Sequence, residues 1–333
     1  MSGLIGHTLY AELTLREALR RKLPFAALLQ QHQASFHAGA YLGSDIQAMP
    51  EAICVDTGNE VGFGTVPLER SPLTGGPVRQ FKLPTPTGPL TATQVHERYY
   101  GRSHLVFGWT AQDRHLHVPW DHLPDYFAAV IEDLLDQAPQ NQRALAYTLG
   151  WIVHVVSDSL IKGIRPGIEL ELLDGRYTRR NRPVQDLVSF HEIGIRELKL
   201  DWPALLQAMA ATPVESVQLL YMRSTEATGH LARLFPDGWE PQNESTLHAI
   251  LAENRRYLKQ HTREVLADLQ LRPTPAGPAC SEALSQISGL TYNQMCDEAR
   301  RAQFRPMLDT MTSNIHDMLD AVGQRCPKLG SQA

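Results

Sequence analysis

Apolar residues recur at helical spacing through most of the chain and lose that spacing in one long stretch. Over 9–21 they fall on one face and end in basic residues, which predicts a first helix. Pro24 suits the first turn of a second helix running to about residue 37, with Gly39 and Gly43 as its breakers. From 46 to 93 glycine and proline become frequent, and short apolar runs such as AICV, FKL and GPLTATQV lie between turn signals. That pattern predicts an irregular insertion with some β-hairpins. Helical spacing resumes near residue 95. It predicts helices over 123–135, 142–162, 184–200, 202–211, 214–235, 243–271 and 292–322, with loop-like sequence over 163–183 and a proline-rich connector over 272–280. The expected fold is therefore mainly α, a multi-helix bundle carrying the insertion at about 46–93. A unit over 1–200 is followed by a helical extension over 201–333 that packs on it.

The 333 residues are 43% hydrophobic and 20% charged, enough for a sizeable core. A net charge of −5 argues against a broad basic face for nucleic acid. No apolar run approaches the roughly 20 residues a membrane helix needs. No secretory pattern is read in the first 21 residues, so a cytoplasmic location is expected. The four cysteines, Cys54, Cys280, Cys296 and Cys326, form no CxxC. With fourteen histidines beside them, any metal would be held by nitrogen and oxygen rather than by sulfur.

Candidate chemistry concentrates in 144–162, ALAYTLGWIVHVVSDSLIK. A helix apolar on nearly all faces is a buried helix, yet this one carries His154 and Asp158. Four residues apart, the two project from one face, and Gly150, one turn earlier, leaves room beside them. An isolated buried carboxylate costs several kcal/mol. A divalent cation would offset that cost, and imidazole plus carboxylate suits zinc. The plainer alternative is that both side chains hydrogen-bond within the core. Further candidates are His7, expected just before the first helix, Asp45 after a Gly-rich turn, His96, His104, and His191 beside Glu192. The run His115, His117 and His122 reads as solvated surface.

In their order along the chain, GHT (6–8), HAGAYLGSD (37–45), the SH of GRSHLVFG (103–104), LGWIVHVVSD (149–158) and FHE (190–192) resemble the zinc-dependent phospholipase C family. That family includes the amino-terminal domain of glycosylphosphatidylinositol-specific phospholipase D. The resemblance covers about the first 200 residues, and LGWIVHVVSD is its most specific part. It implies a helical bundle that hydrolyses phosphodiesters with bound zinc. By resemblance His7, Asp45, His104 (rather than His96), His154, Asp158 and His191 are the metal ligands. Asp158 bridges two ions, and Asp45 and Asp158 serve catalysis, Asp45 as ligand or water-orienting base.

There are departures. No histidine stands in SLIKGIRPG after Asp158, and Ile195 occupies the position where the family has glutamate four residues after its late histidine. Two zinc ions are expected, the third site being incomplete. By the same resemblance the expected substrate is a phosphodiester-containing small molecule or a lipid head group. Two alternatives stay open: a non-catalytic metal-binding or interaction protein on the same fold, working through the helices after Trp202, and a nuclease-like phosphodiesterase.

Overall fold

The structure, a computed structural model, describes residues 3–42, 82–86, 88–91, 120–161, 180–213, 217, 224–234 and 244–330. Apolar residues begin earlier than the periodicity over 9–21 suggests. Leu4 and Ile5 are as buried as Leu9, so helix α1 spans Leu4–Arg21. It ends where Lys22 turns left-handed (φ 57°), with Arg20 and Arg21 at its negative end. His7 thus lies inside the helix and not before it. The next segment is two helices, α2 (Ala26–Gln31) and α3 (Gln33–Leu42), separated where His32 leaves helical geometry. Gly39 sits within α3 and does not break it.

Of the expected insertion, the described part is an antiparallel pair, β1 (Lys82–Leu83) and β2 (Leu90–Thr91), with Leu83 opposite Leu90. The remainder of 46–93 lies outside the described residues. A 3-10 turn at Trp120–His122 leads into α4 (Leu123–Gln137), and a short connection into α5 (Gln142–Ile161), where Asn141 Oδ1 accepts from the Ala144 N–H.

Helix α6 (Arg182–Leu187) continues directly as a π-helix over Val188–Glu197. There follow α7 (Trp202–Ala211), capped by the Asp201 carboxylate, α8 (Thr225–Leu234) and α9 (Glu244–Asp268). The proline-rich connector is a hairpin of β3 (Arg272–Thr274) and β4 (Gly277–Ala279). Helices α10 (Glu282–Ser288), α11 (Tyr292–Arg301), α12 (Phe304–Arg325) and α13 (Pro327–Gly330) complete the chain. Periodicity reads 292–322 as one helix, but Gln303 in left-handed geometry (φ 52°) splits it. The fold is mainly α.

Helix α5 is the centre of the bundle. It packs against α1, α3, α4 and α12, and its residues from Ala144 to Leu160 are buried. One continuous apolar cluster runs from Leu4 to Leu329. The closest crossing is α3 on α5. A Cβ on Gly39 would stand 1.9 Å from the Tyr147 carbonyl oxygen, and one on Gly150 would stand 2.0 Å from that of Phe36. Those distances are far inside van der Waals contact, so only glycine lets the two backbones meet. The room that Gly150 leaves is therefore filled by α3.

Candidate metal centre

The α3–α5 crossing positions the first donor. His154 lies one turn beyond Gly150 on α5, and its Nδ1 is 2.7 Å from the Ala40 carbonyl oxygen of α3. A carbonyl only accepts, so Nδ1 carries the proton. In the neutral ring, Nε2 then presents a lone pair. That nitrogen faces Asp158 Oδ2 at 3.6 Å, one turn further along α5. From α1, His7 brings its Nε2 to 3.5 Å from Asp158 Oδ1. The two imidazoles stack nearly parallel, centroids 3.9 Å apart and planes 10° apart. All three side chains are 0% exposed, and one ligand atom of each lies within 4.8 Å of the others.

These distances bear on what the group can hold. A charge-assisted hydrogen bond between imidazolium and carboxylate closes to about 2.7–2.9 Å. Donors at about 2.0–2.1 Å around a tetrahedral ion stand roughly 3.3 Å from one another. The observed 3.5 and 3.6 Å sit nearer the second value. Two stacked imidazolium rings would also repel, whereas two neutral rings with a cation before them would not. The backbone carbonyl on the far nitrogen of His154 is the partner that fixes the tautomer and the aim of a ligating histidine. The residues present fit a metal ion.

A second buried polar group lies between α1 and α3. Glu12 Oε1 accepts from Arg16 Nε (2.6 Å), while Oε2 accepts from Gln33 Nε2 (3.0 Å) and lies 3.2 Å from His37 Nε2. Burial alone would push the Glu12 carboxyl up, but His37 and then Arg16 outweigh it and hold it at about 2. Sequence reasoning missed this pair. Its signal was there, because His37 lies in the same HAGAYLGSD stretch as Ala40.

Of the other candidates, Asp45, His96, His104, His115 and His117 lie outside the described residues. His191 is on the π-helix, its Nε2 donating to the Leu269 carbonyl (2.7 Å) and its ring edge-on to Tyr292. Burial lowers its pKa, opposed by the Leu269 carbonyl and Glu192. It is not among the converging donors. His122 is exposed at the end of the 3-10 turn.

Comparison with family models, with curated proteins and with solved structures gives no match. The centre is therefore read from its own geometry. A buried His/His/Asp group able to bind a metal ion is the chemistry the fold defines. No helix among the described residues is long and apolar enough to cross a membrane.

Proposed function

We propose that this chain is a metal-dependent phosphodiester hydrolase that uses zinc, held by His7, His154 and Asp158. The observation that carries the reading is the convergence of these three wholly buried donors at separations suited to an ion. The order of GHT, HAGAYLGSD, SH and LGWIVHVVSD supports the phosphodiesterase class. When bound, zinc would act as a Lewis acid, lowering the pKa of water and offsetting charge on the phosphate.

The chain's own residues supply the rest. Asp158 turns one oxygen toward each histidine, so the carboxylate would be a ligand to zinc held by either ring. The Ala40 carbonyl holds His154 in the ligating tautomer. His104 is proposed as a further ligand beside His154, and Asp45 as ligand or water-orienting base. The substrate is a soluble phosphodiester or a lipid head group.

The test combines metal analysis of untagged protein with hydrolysis of bis(4-nitrophenyl) phosphate. About two zinc ions per chain are expected. Turnover should stop with chelator, return with zinc, and be absent in Asp158→Asn. One ion without turnover would instead mark a non-catalytic metal-binding protein. Absence of any metal affinity would sink both readings.

A further inference from the structure

A cleft of about 1,070 Å³ opens between the π-helix, α11 and the start of α12, and none of the three metal donors lines it. Ligand pockets for small molecules fall at roughly 300–1,000 Å³, so its size suits one. Its floor is apolar, with Val188, Ile193, Ala299 and Phe304 all buried. Its lining carries three guanidinium groups, those of Arg196, Arg300 and Arg305, and three carboxylates, those of Glu192, Glu197 and Asp297.

The arginines are held in two ways. Arg305 is committed to the frame. Its Nε and Nη2 fork onto Glu197 at 2.7–3.0 Å and its Nη1 donates to Asp309, tying α12 to the π-helix. On the wall opposite, Tyr292 anchors Glu192. The Tyr292 hydroxyl donates to Glu192 Oε1 (2.5 Å), and Glu192 Oε2 accepts from Arg196 Nη1 (2.8 Å). Arg196 and Arg300 differ from Arg305. Each pairs with an acid on its own helix, Glu192 and Asp297, and their side chains are 63% and 76% exposed. Exposed pairs of this kind are worth about 0–1 kcal/mol, so both can turn to a better anion at little cost. A phosphate dianion offers three acceptor oxygens and twice the charge of a carboxylate, matching two guanidinium forks.

We propose that this cleft is a second ligand site, taking a small molecule in which a phosphate monoester is carried on an apolar ring or chain. The phosphate is taken by Arg196 and Arg300 at the rim, and the apolar body lies in the cleft beside Pro278 and Pro306, above the buried Ile193 and Phe304. The site is independent of the metal centre and of the hydrolase reading.

The experiment is a calorimetric titration of phenyl phosphate into the full-length, chelator-treated protein, so that no metal contributes. Saturable binding is expected, weakening as salt is added. The Arg196→Ala/Arg300→Ala double variant should bind at least about tenfold more weakly with an unchanged melting temperature. Asp158→Asn should bind like wild type. Inorganic phosphate, lacking the ring, should also bind at least about tenfold more weakly. The proposal is overturned if phenyl phosphate does not saturate by about 10 mM, or if the double variant binds as tightly as wild type. It is equally overturned if inorganic phosphate matches phenyl phosphate, because the apolar floor would then play no part. Should the double variant prove destabilised, Arg196→Lys/Arg300→Lys keeps the charge without the forks and is expected to bind more weakly than wild type; equal binding would overturn the proposal.

Discussion

Asp158 meets His7 and His154 through separate oxygens inside a wholly buried group, and this gives a test that needs no turnover. If a cation balances the carboxylate, its removal leaves a charge in an apolar interior, where neutralising it is favourable. Asp158→Asn should then melt higher than wild type in chelator, and lower than wild type in zinc, where binding stabilises only the native ligand set. If the histidines are instead protonated partners, removing the carboxylate breaks a buried ion pair at about 3–5 kcal/mol. The variant would then melt lower under both conditions. Thermal scans of the two proteins with and without zinc decide between them. Glu12 makes a separate prediction about pH. Its carboxyl titrates at about 2 when folded against an ordinary 4.5, so the unfolded chain takes up the proton first as pH falls. The stabilisation is complete above about 4.5 and disappears as pH drops toward 2. The shift corresponds to on the order of 3 kcal/mol. Glu12→Gln should therefore flatten the loss of stability between pH 4.5 and 2, measured as urea midpoints. Of these residues, the 154/158 pair was legible in the sequence because both polar side chains interrupt one apolar helix. His7 was legible only through the motif, and its true position in α1 follows from the burial of Leu4 and Ile5.

Helices with strong periodicity were read to within a few residues, as with α5 (expected 142–162, found Gln142–Ile161) and α7 (expected 202–211, found Trp202–Ala211). What periodicity does not carry is backbone conformation. Gln303 splits the last long helix by adopting a left-handed geometry that its side chain does not announce. The wider turn of Val188–Glu197 preserves an amphipathic pattern and so looks like ordinary helix from sequence. The proline-rich stretch forms a hairpin in which Pro273 pairs with Pro278, a short ladder that composition alone disguises. Gly39 and Gly150 show the same limit in another form. Each looks like a helix breaker or a gap, but together they set how closely α3 approaches α5. Gly39→Ala or Gly150→Ala would drive a methyl group into a carbonyl oxygen at about 2 Å. The helices must separate, at a cost of about 1–3 kcal/mol or more. Because the Ala40 carbonyl aims His154 from across this crossing, metal affinity should fall along with the melting temperature. A variant that lost stability but kept wild-type zinc affinity would show that the crossing does not orient the centre.

The whole molecule decides whether the first 200 residues, which hold the described metal donors, stand alone. Helix α12 lies against α1, α4 and α5, and it buries Leu308, Met311, Ile315, Met318, Leu319 and Val322. Each such side chain contributes about 1.5–3 kcal/mol on burial, so the face supplies on the order of 10 kcal/mol. That is comparable to the entire net stability of a domain, about 5–15 kcal/mol. Charge pairs add an anchor at the rim, Arg325 to Asp125 and Lys328 to Asp136 at 2.6 Å, but exposed pairs contribute little beside the apolar term. The helices that support His7 and His154 therefore depend on residues more than a hundred positions later. Packing of a carboxy-terminal extension on the 1–200 unit is an expectation of the sequence, but the pattern over 304–325 reports an apolar face without naming the helices it covers. A chain ending at residue 200 is expected to lack a cooperative thermal transition and to bind zinc more weakly than the full chain. Circular dichroism melts and metal titration of the two chains measure this directly. A sharp transition with full zinc affinity in the shorter chain would mean that the carboxy-terminal helices merely cover a core able to fold and hold metal without them.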